Sequence, residues 1–341
     1  MKIKTIVITC IIIQLFAFVS ADKPLFITPK YWPKPVYNFK KNPLSESKIL
    51  LGRVLFYDPI LSRNNTVSCA NCHSQYTAFT HIDHALSHGI DDRIGTRNSP
   101  ALMNLAWHNS FMWDGAINHL DMQALAPISH HDEMDENIKH VTEKLQTSKI
   151  YPPLFLKAFG DSLITGEKTL KAISQFMLTL VSANSKYDKV KRKEDSFTVQ
   201  EENGYQLYKQ NCASCHAEPL FTNIKFENNG LPIDSLLKDA GRKRITQNDK
   251  DFLKFKVPTL RNIEFSNPYM HDGRFKRIAD VLKHYTNGIQ TNKNLASQLQ
   301  KPIILTSNQK VDLTAFLLTL TDKEFLFNPK FGFPKEVLLS R

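Results

Sequence analysis

The chain has 341 residues and a formal charge of +11, a length that suits two domains of ordinary size. The basic balance fits an acidic partner steered electrostatically, and no stretch resembles a nucleic-acid-binding motif. Five cysteines leave no disulfide framework once four of them are assigned as below.

Lys2 and Lys4 precede an apolar run from Ile6 to Val19, and Val19-Ser20-Ala21 offers small residues for cleavage. Residues 1–21 read as a secretory signal peptide, which would remove Cys10. An uncleaved anchor is the alternative, although the run is short for a membrane span. The mature chain then divides into an N-terminal unit, 22–190, and a C-terminal unit, 191–341.

Pro24 to Asn42 is rich in Pro, aromatic and Lys residues and reads as an extended arm. Leu44 to Phe56 has apolar residues at helical spacing, with Ser45 or Ser47 as caps. A polar turn, Ser62 to Asn65, leads into Cys69-Ala70-Asn71-Cys72-His73. Phe79 to Asn98 reads as loop. Short helices are expected near Met122 to Ala126 and Asn137 to Leu145. Lys168 to Asn184 is the clearest amphipathic helix, and the charged stretch Lys186 to Glu194 is the linker expected between the units. A helix from Glu201 to Tyr208 leads into Cys212-Ala213-Ser214-Cys215-His216. Loop follows from Phe221 to Lys256, then helices at Ile278 to Tyr285 and Gln309 to Leu320. The fold expected is mainly α: two cytochrome c-like haem domains with long loops.

CxxCH is the attachment signature of a c-type haem. Two thiols bond the porphyrin, and the adjacent imidazole reaches the iron. Two copies imply two covalent haems, held by Cys69, Cys72 and His73, and by Cys212, Cys215 and His216. A zinc site is the alternative, but its four ligands usually come from neighbouring segments. Haem attachment outside the bacterial cytoplasm agrees with export to the periplasm.

The strings LGRVLFYDPILS, GTRNSPALMN, FMWDGAINHLDMQALAPI with HDEM just after, VPTLRNIEFSNPYMHDGRF and HYTNG, with both haem motifs, resemble the bacterial dihaem cytochrome c peroxidases, a family that includes the MauG-type enzymes. The resemblance runs from about Leu44 to Leu320. It implies a peroxide-reacting N-terminal haem, an electron-relaying C-terminal haem and a calcium ion between them. Matched motif by motif, His73 and His216 are proximal iron ligands. Trp113 sits between the haems, Gln123 and Glu133 form the distal pair, and Asn98, Ser266 and Pro268 ligate calcium. Each has a plainer reading: Trp113 as core, Glu133 as a solvated carboxylate, Asn98 as a turn residue.

Three positions decide the subtype. Where many relatives place a distal histidine in S-x-G-H-G, this chain has Ser87-His88-Gly89-Ile90; either His88 substitutes or the iron is open. Tyr285 stands where peroxidases commonly carry a methionine ligand and MauG-type proteins a tyrosine, with Met270 read as packing. Gln210 replaces the tryptophan through which MauG draws electrons from its protein substrate. The reading that results is a peroxidase reducing hydrogen peroxide with electrons from a small cytochrome c or cupredoxin. The rivals are a MauG-like oxidase working through a high-valent state on a partner protein or small substrate, and a non-catalytic carrier or redox sensor. Family members are often homodimers.

Overall fold

A matched pair of helices organises each half of the chain. In the computed structural model, which describes residues 24–81 and 84–340, the first pair is α1 (Glu46–Tyr57) and α2 (Gly166–Thr179), packed against each other. The expected signal peptide and Cys10 lie outside the described residues. Ser45 and Thr165 cap the two helices by accepting from Lys48 N and Lys168 N, satisfying backbone donors that the first turn leaves free. The second pair is α3 (Val199–Asn211) and α4 (Ser307–Leu318). Thr198 with Glu201 and Thr306 with Gln309 close reciprocal capping boxes at their starts.

Each pair crosses at a glycine. A Cβ on Gly52 would stand 1.9 Å from the Ala172 carbonyl, and one on Gly204 would stand 2.0 Å from that of Asp312. The backbones touch there, so no side chain fits. Gly204→Ala is therefore expected to cost about 1–3 kcal/mol through overpacking, read as a lower melting temperature of the haem-loaded protein. An unchanged melting temperature would show that the crossing can relax.

The helix–motif–loop–helix repeat appears in both halves, and the fold is mainly helical. Among the described residues the only ladder pairs Phe226–Glu227 with Phe255–Lys256, antiparallel. One core gathers Leu51, Leu55, Phe56, Phe79, Phe155 and Phe176; a second gathers Tyr187, Tyr208, Phe221, Leu313 and Phe316. The C-terminal tail returns to the first core through Phe325, Leu326 and Leu338, with Tyr57 Oη donating to the Phe331 carbonyl at 2.8 Å. The N-terminal arm packs there too. Trp107 Nε1 donates to the Pro33 carbonyl at 2.8 Å, and its ring meets Trp32 at 4.8 Å, which fits the structural role read for Trp107.

Two segments differ from expectation. The charged stretch expected as a linker instead carries a helix, Lys186–Lys191, with Tyr187 and Asp188 buried. The cause is Arg261, whose guanidinium is fully buried and meets both Asp188 carboxylate oxygens at 2.8 Å. A buried charge needs such a partner, and this one lies 73 residues away. The helix Tyr151–Phe159 was not among those expected, and its sequence carries Pro152 and Pro153. They occupy its first turn, where a missing N–H costs nothing. No described helix is long and apolar enough to cross a membrane.

Candidate dihaem active site

Both CxxCH motifs form tight turns. In the first, Asn71 Oδ1 accepts from Ser68 N and Oγ at 2.8 and 2.7 Å, closing the turn over Cys69–Cys72. His73 Nδ1 lies 2.7 Å from the Phe79 carbonyl. A carbonyl only accepts, so Nδ1 carries the proton and Nε2 keeps its lone pair. His216 repeats the device, its Nδ1 lying 3.0 Å from the Pro258 carbonyl. Burial lowers both histidines to about 4, so each imidazole is neutral at neutral pH and oriented as an iron ligand requires. The four motif cysteines are unpaired, and burial raises their thiols. Among the described residues no group of three or more His, Cys, Asp or Glu is placed to hold a metal ion.

A large apolar cavity runs between the halves. Cys212, Cys215, His216 and Tyr285 line one end, and Gln123, Pro100 and Met103 line the other, with Trp113 in the wall. It is partly open to solvent. Trp113 is buried, and its Nε1 donates to the Asn98 carbonyl at 2.7 Å. This fixes the indole across the cavity from His271, 6.5 Å away between ring centres.

Glu133 approaches from another side and does not line that cavity. Its backbone carbonyl accepts from Ile90 N at 2.7 Å, which ties its loop to the segment after His88. A Cβ on Gly89 would stand 2.6 Å from Glu133 Cα, and the carbonyl of the neighbouring His88 lies 3.7 Å from Cys72 Sγ, so the Glu133 loop stands beside the first haem motif. The side chain retains 36% of its exposure, yet protein crowds it enough that desolvation pushes its pKa above the ordinary 4.5. Gln123, which ends the short helix Leu120–Gln123, is buried and lines the cavity that Glu133 does not reach. His88 sits over the first motif by its backbone, its carbonyl 3.7 Å from Cys72 Sγ, while its ring Nδ1 contacts Asp92 at 2.6 Å. That contact leaves Nε2 available.

At the second site Tyr285 rides on a π-helical turn, His284–Gly288, a distortion common at functional positions. The helix expected to reach Tyr285 ends at Lys283. Asn229 Nδ2 reaches both Tyr285 Oη, at 3.4 Å, and Met270 Sδ, at 3.5 Å. Burial raises the phenol to about 12. The Asn229 donor acts the other way by favouring the oxygen anion. Sequence reasoning missed Asn229, and no local pattern marks it.

Asn98, Ser266 and Pro268 also meet at the cavity. Asn98 Nδ2 donates to the Pro268 carbonyl at 2.6 Å, while its Oδ1 is buried without a hydrogen-bond partner. Amide orientation is assigned from such partners. The unpartnered Oδ1 and the carbonyl of Pro268 are neutral oxygen donors. The donor set therefore fits a hard, oxygen-seeking ion.

The comparisons with known proteins agree with this geometry. A family model for di-haem cytochrome c peroxidase matches residues 46–196, and one for cytochrome c matches residues 201–321. The chain is 34% identical over 313 residues to the methylamine utilization protein MauG of Methylorubrum extorquens, covering 88% of this chain and 84% of that one. It is 32% identical over 290 residues to the cytochrome c551 peroxidase of Nitrosomonas europaea, covering 83% and 81%. A crystal structure of a MauG-like protein associated with microbial copper homeostasis superposes with a TM-score of 0.80 at 32% identity, covering 90% of this chain and 98% of that one. The chain belongs to the di-haem cytochrome c peroxidase and MauG family. It is thus a haem-binding oxidoreductase of cytochrome c fold, with covalent haem c implied at its motifs.

Proposed function

We propose that the protein is an exported dihaem cytochrome c peroxidase that reduces hydrogen peroxide to water. The observation that carries this reading is Glu133, a crowded carboxyl beside the first haem motif. A plain carrier has no use for such a group. The haems, when bound, supply the iron at which peroxide reacts and the path for electrons. The protein's own residues handle protons and position. Glu133 accepts a proton from incoming peroxide and returns it to the departing oxygen, a task favoured by a carboxyl with a raised pKa. Gln123 orients peroxide through its amide, and Trp113 bridges the two ends of the cavity. A small cytochrome c or cupredoxin, drawn by the net positive charge, would supply electrons to the half of the chain in which Cys212, Cys215 and His216 would hold the second haem.

Asn98 with the carbonyls of Ser266 and Pro268 would hold calcium and thereby fix Trp113, whose indole is bonded to the Asn98 carbonyl. The expected result is that prolonged chelation removes tightly held calcium and alters the optical spectra of both haems, and that Asn98→Ala holds no calcium at all. Calcium retained by that variant would dismiss the site.

The test of the main reading is steady-state peroxide consumption by the all-ferric and the half-reduced protein, each with reduced cytochrome c. Turnover in both states is expected, with an open first haem. Turnover only after half-reduction would make His88 a resting ligand held by Asp92. The second reading, a MauG-like oxidase, is favoured by Tyr285 under Asn229. It would show as little turnover but a long-lived oxidised species after peroxide. Gln210, on the exposed face of α3, offers no exit for electrons drawn from a protein substrate.

A further inference from the structure

The second haem motif is joined to a cluster of tyrosines that the proposed reaction leaves unused. Tyr208 is fully buried, and its hydroxyl donates to the backbone carbonyl of His216, the residue that would hold the iron of the second haem. Tyr205 stacks on Tyr208, with ring centres 6.2 Å apart and planes 13° from parallel. Tyr187 lies 6.4 Å from Tyr205 and 4.7 Å from Phe221, between ring centres. Phe221 in turn packs on Tyr208 at 5.4 Å. The rings form one continuous aromatic path from the motif to partly exposed Tyr205.

The outer end of the path has an unusual polar arrangement. Tyr187 and Tyr205 both donate to one oxygen, Glu218 Oε2, at 2.5 and 3.2 Å. Lys191 Nζ donates to the Tyr205 hydroxyl at 3.1 Å and lies 3.4 Å from Glu218. The ammonium groups of Lys191 and Lys209 also stand 5.4 and 4.6 Å from the Tyr205 ring centre. Ammonium groups over a ring are attracted to its electron-rich face. They would repel the same ring if it became cationic. A tyrosine here can lose an electron only if its proton leaves with it, and Glu218 is already bonded to that proton.

We infer that Tyr205 and Tyr187, sharing the Glu218 carboxylate, form a redox-active tyrosyl site through which the second haem takes electrons from outside the protein. The inference rests on the peroxidase reading, because peroxide supplies the oxidising equivalents. In the step, one electron passes from a phenol through Tyr208 to the second haem, oxidised at the expense of peroxide. The phenolic O–H bond breaks, the proton moves to Glu218, and a neutral tyrosyl radical remains. An external one-electron reductant then returns the electron, and Glu218 returns the proton. Tyr205 takes the place, on the same helix, of the exit that Gln210 does not provide. The reductant need not touch either haem. It has only to reach Tyr205, beneath the cationic rim of Lys191 and Lys209.

The experiment uses the haem-loaded full chain, mixed with hydrogen peroxide without donor and freeze-quenched, with optical and electron paramagnetic resonance spectra taken together. The expected result is a change in the haem bands followed by an organic radical whose signal narrows when the protein carries ring-deuterated tyrosine. Tyr187→Phe/Tyr205→Phe should lose that radical and prolong the oxidised haem bands, and Glu218→Gln should delay its appearance. Tyr205→Phe and Glu218→Gln alone, which keep the buried ring packing, carry the test if the double variant does not fold. Haem bands that never respond to peroxide would overturn both the peroxidase reading and this site. Haem bands that respond with no tyrosyl signal, or with one untouched by these variants, would overturn the tyrosyl site and leave the peroxidase reading standing.

Discussion

Glu133→Gln is expected to lower peroxide turnover by roughly 10²–10⁴-fold, the usual contribution of a positioned acid–base group. The amide keeps the size and polarity of the carboxyl but cannot take or return a proton. Haem attachment and the reduction of the second haem should be unchanged, since Glu133 touches neither His73 nor His216. The pH profile gives an independent check. Glu133 must begin as the carboxylate to accept the first proton, so turnover falls as pH drops through its pKa. Desolvation raises that pKa above the ordinary 4.5, so the acid limb should lie above that value and vanish in the variant. A variant with native turnover and an unchanged acid limb would return Glu133 to the status of a solvated loop carboxylate.

Tyr285→Met should shift the reduction potential of the second haem upward. A phenolate is an anionic oxygen donor that favours ferric iron, whereas methionine raises the potential. The shift should be on the order of hundreds of millivolts, within the roughly 0.8 V that axial ligands span. Spectroelectrochemical titration reads it directly. Asn229→Ala should move the potential downward by a smaller amount, because it removes the donor 3.4 Å from Tyr285 Oη that draws charge away from the phenolate oxygen. A potential indifferent to Tyr285→Met would mean that Tyr285 is not at the iron. Met270, which shares Asn229 with it, would then be the first residue to substitute.

The two experiments together separate the readings. A protein that needs Glu133 and turns over peroxide steadily is a peroxidase whatever ligand its second haem carries. A protein whose second haem depends on Tyr285 but which turns over poorly stores oxidising equivalents, as the MauG-like alternative requires.

Much of this was written locally. Cys69, Cys72, His73, Cys212, Cys215 and His216 are legible because haem c attachment demands two thiols and an iron-ligating imidazole within five consecutive residues, a constraint with no tertiary component. The helices α1 and α2 are legible for a similar reason: apolar spacing, with Ser45 as a cap of α1, acts over one or two turns. The distal residues Gln123 and Glu133 were recognisable only as part of a longer resemblance, since a lone glutamate in an acidic loop carries no signal of its own. Only the tertiary structure decided the rest. The helix Lys186–Lys191 reads as a solvated linker until Arg261 arrives to pair with Asp188. Asn229 acquires a role only because the chain brings Tyr285 and Met270, 56 and 41 residues away, to the same amide. Tyr187, Tyr205 and Glu218 converge on one carboxylate oxygen from three separate segments. Such groups are set by burial and by contacts far apart in the chain, and a sequence records the residues of those contacts but not their meeting.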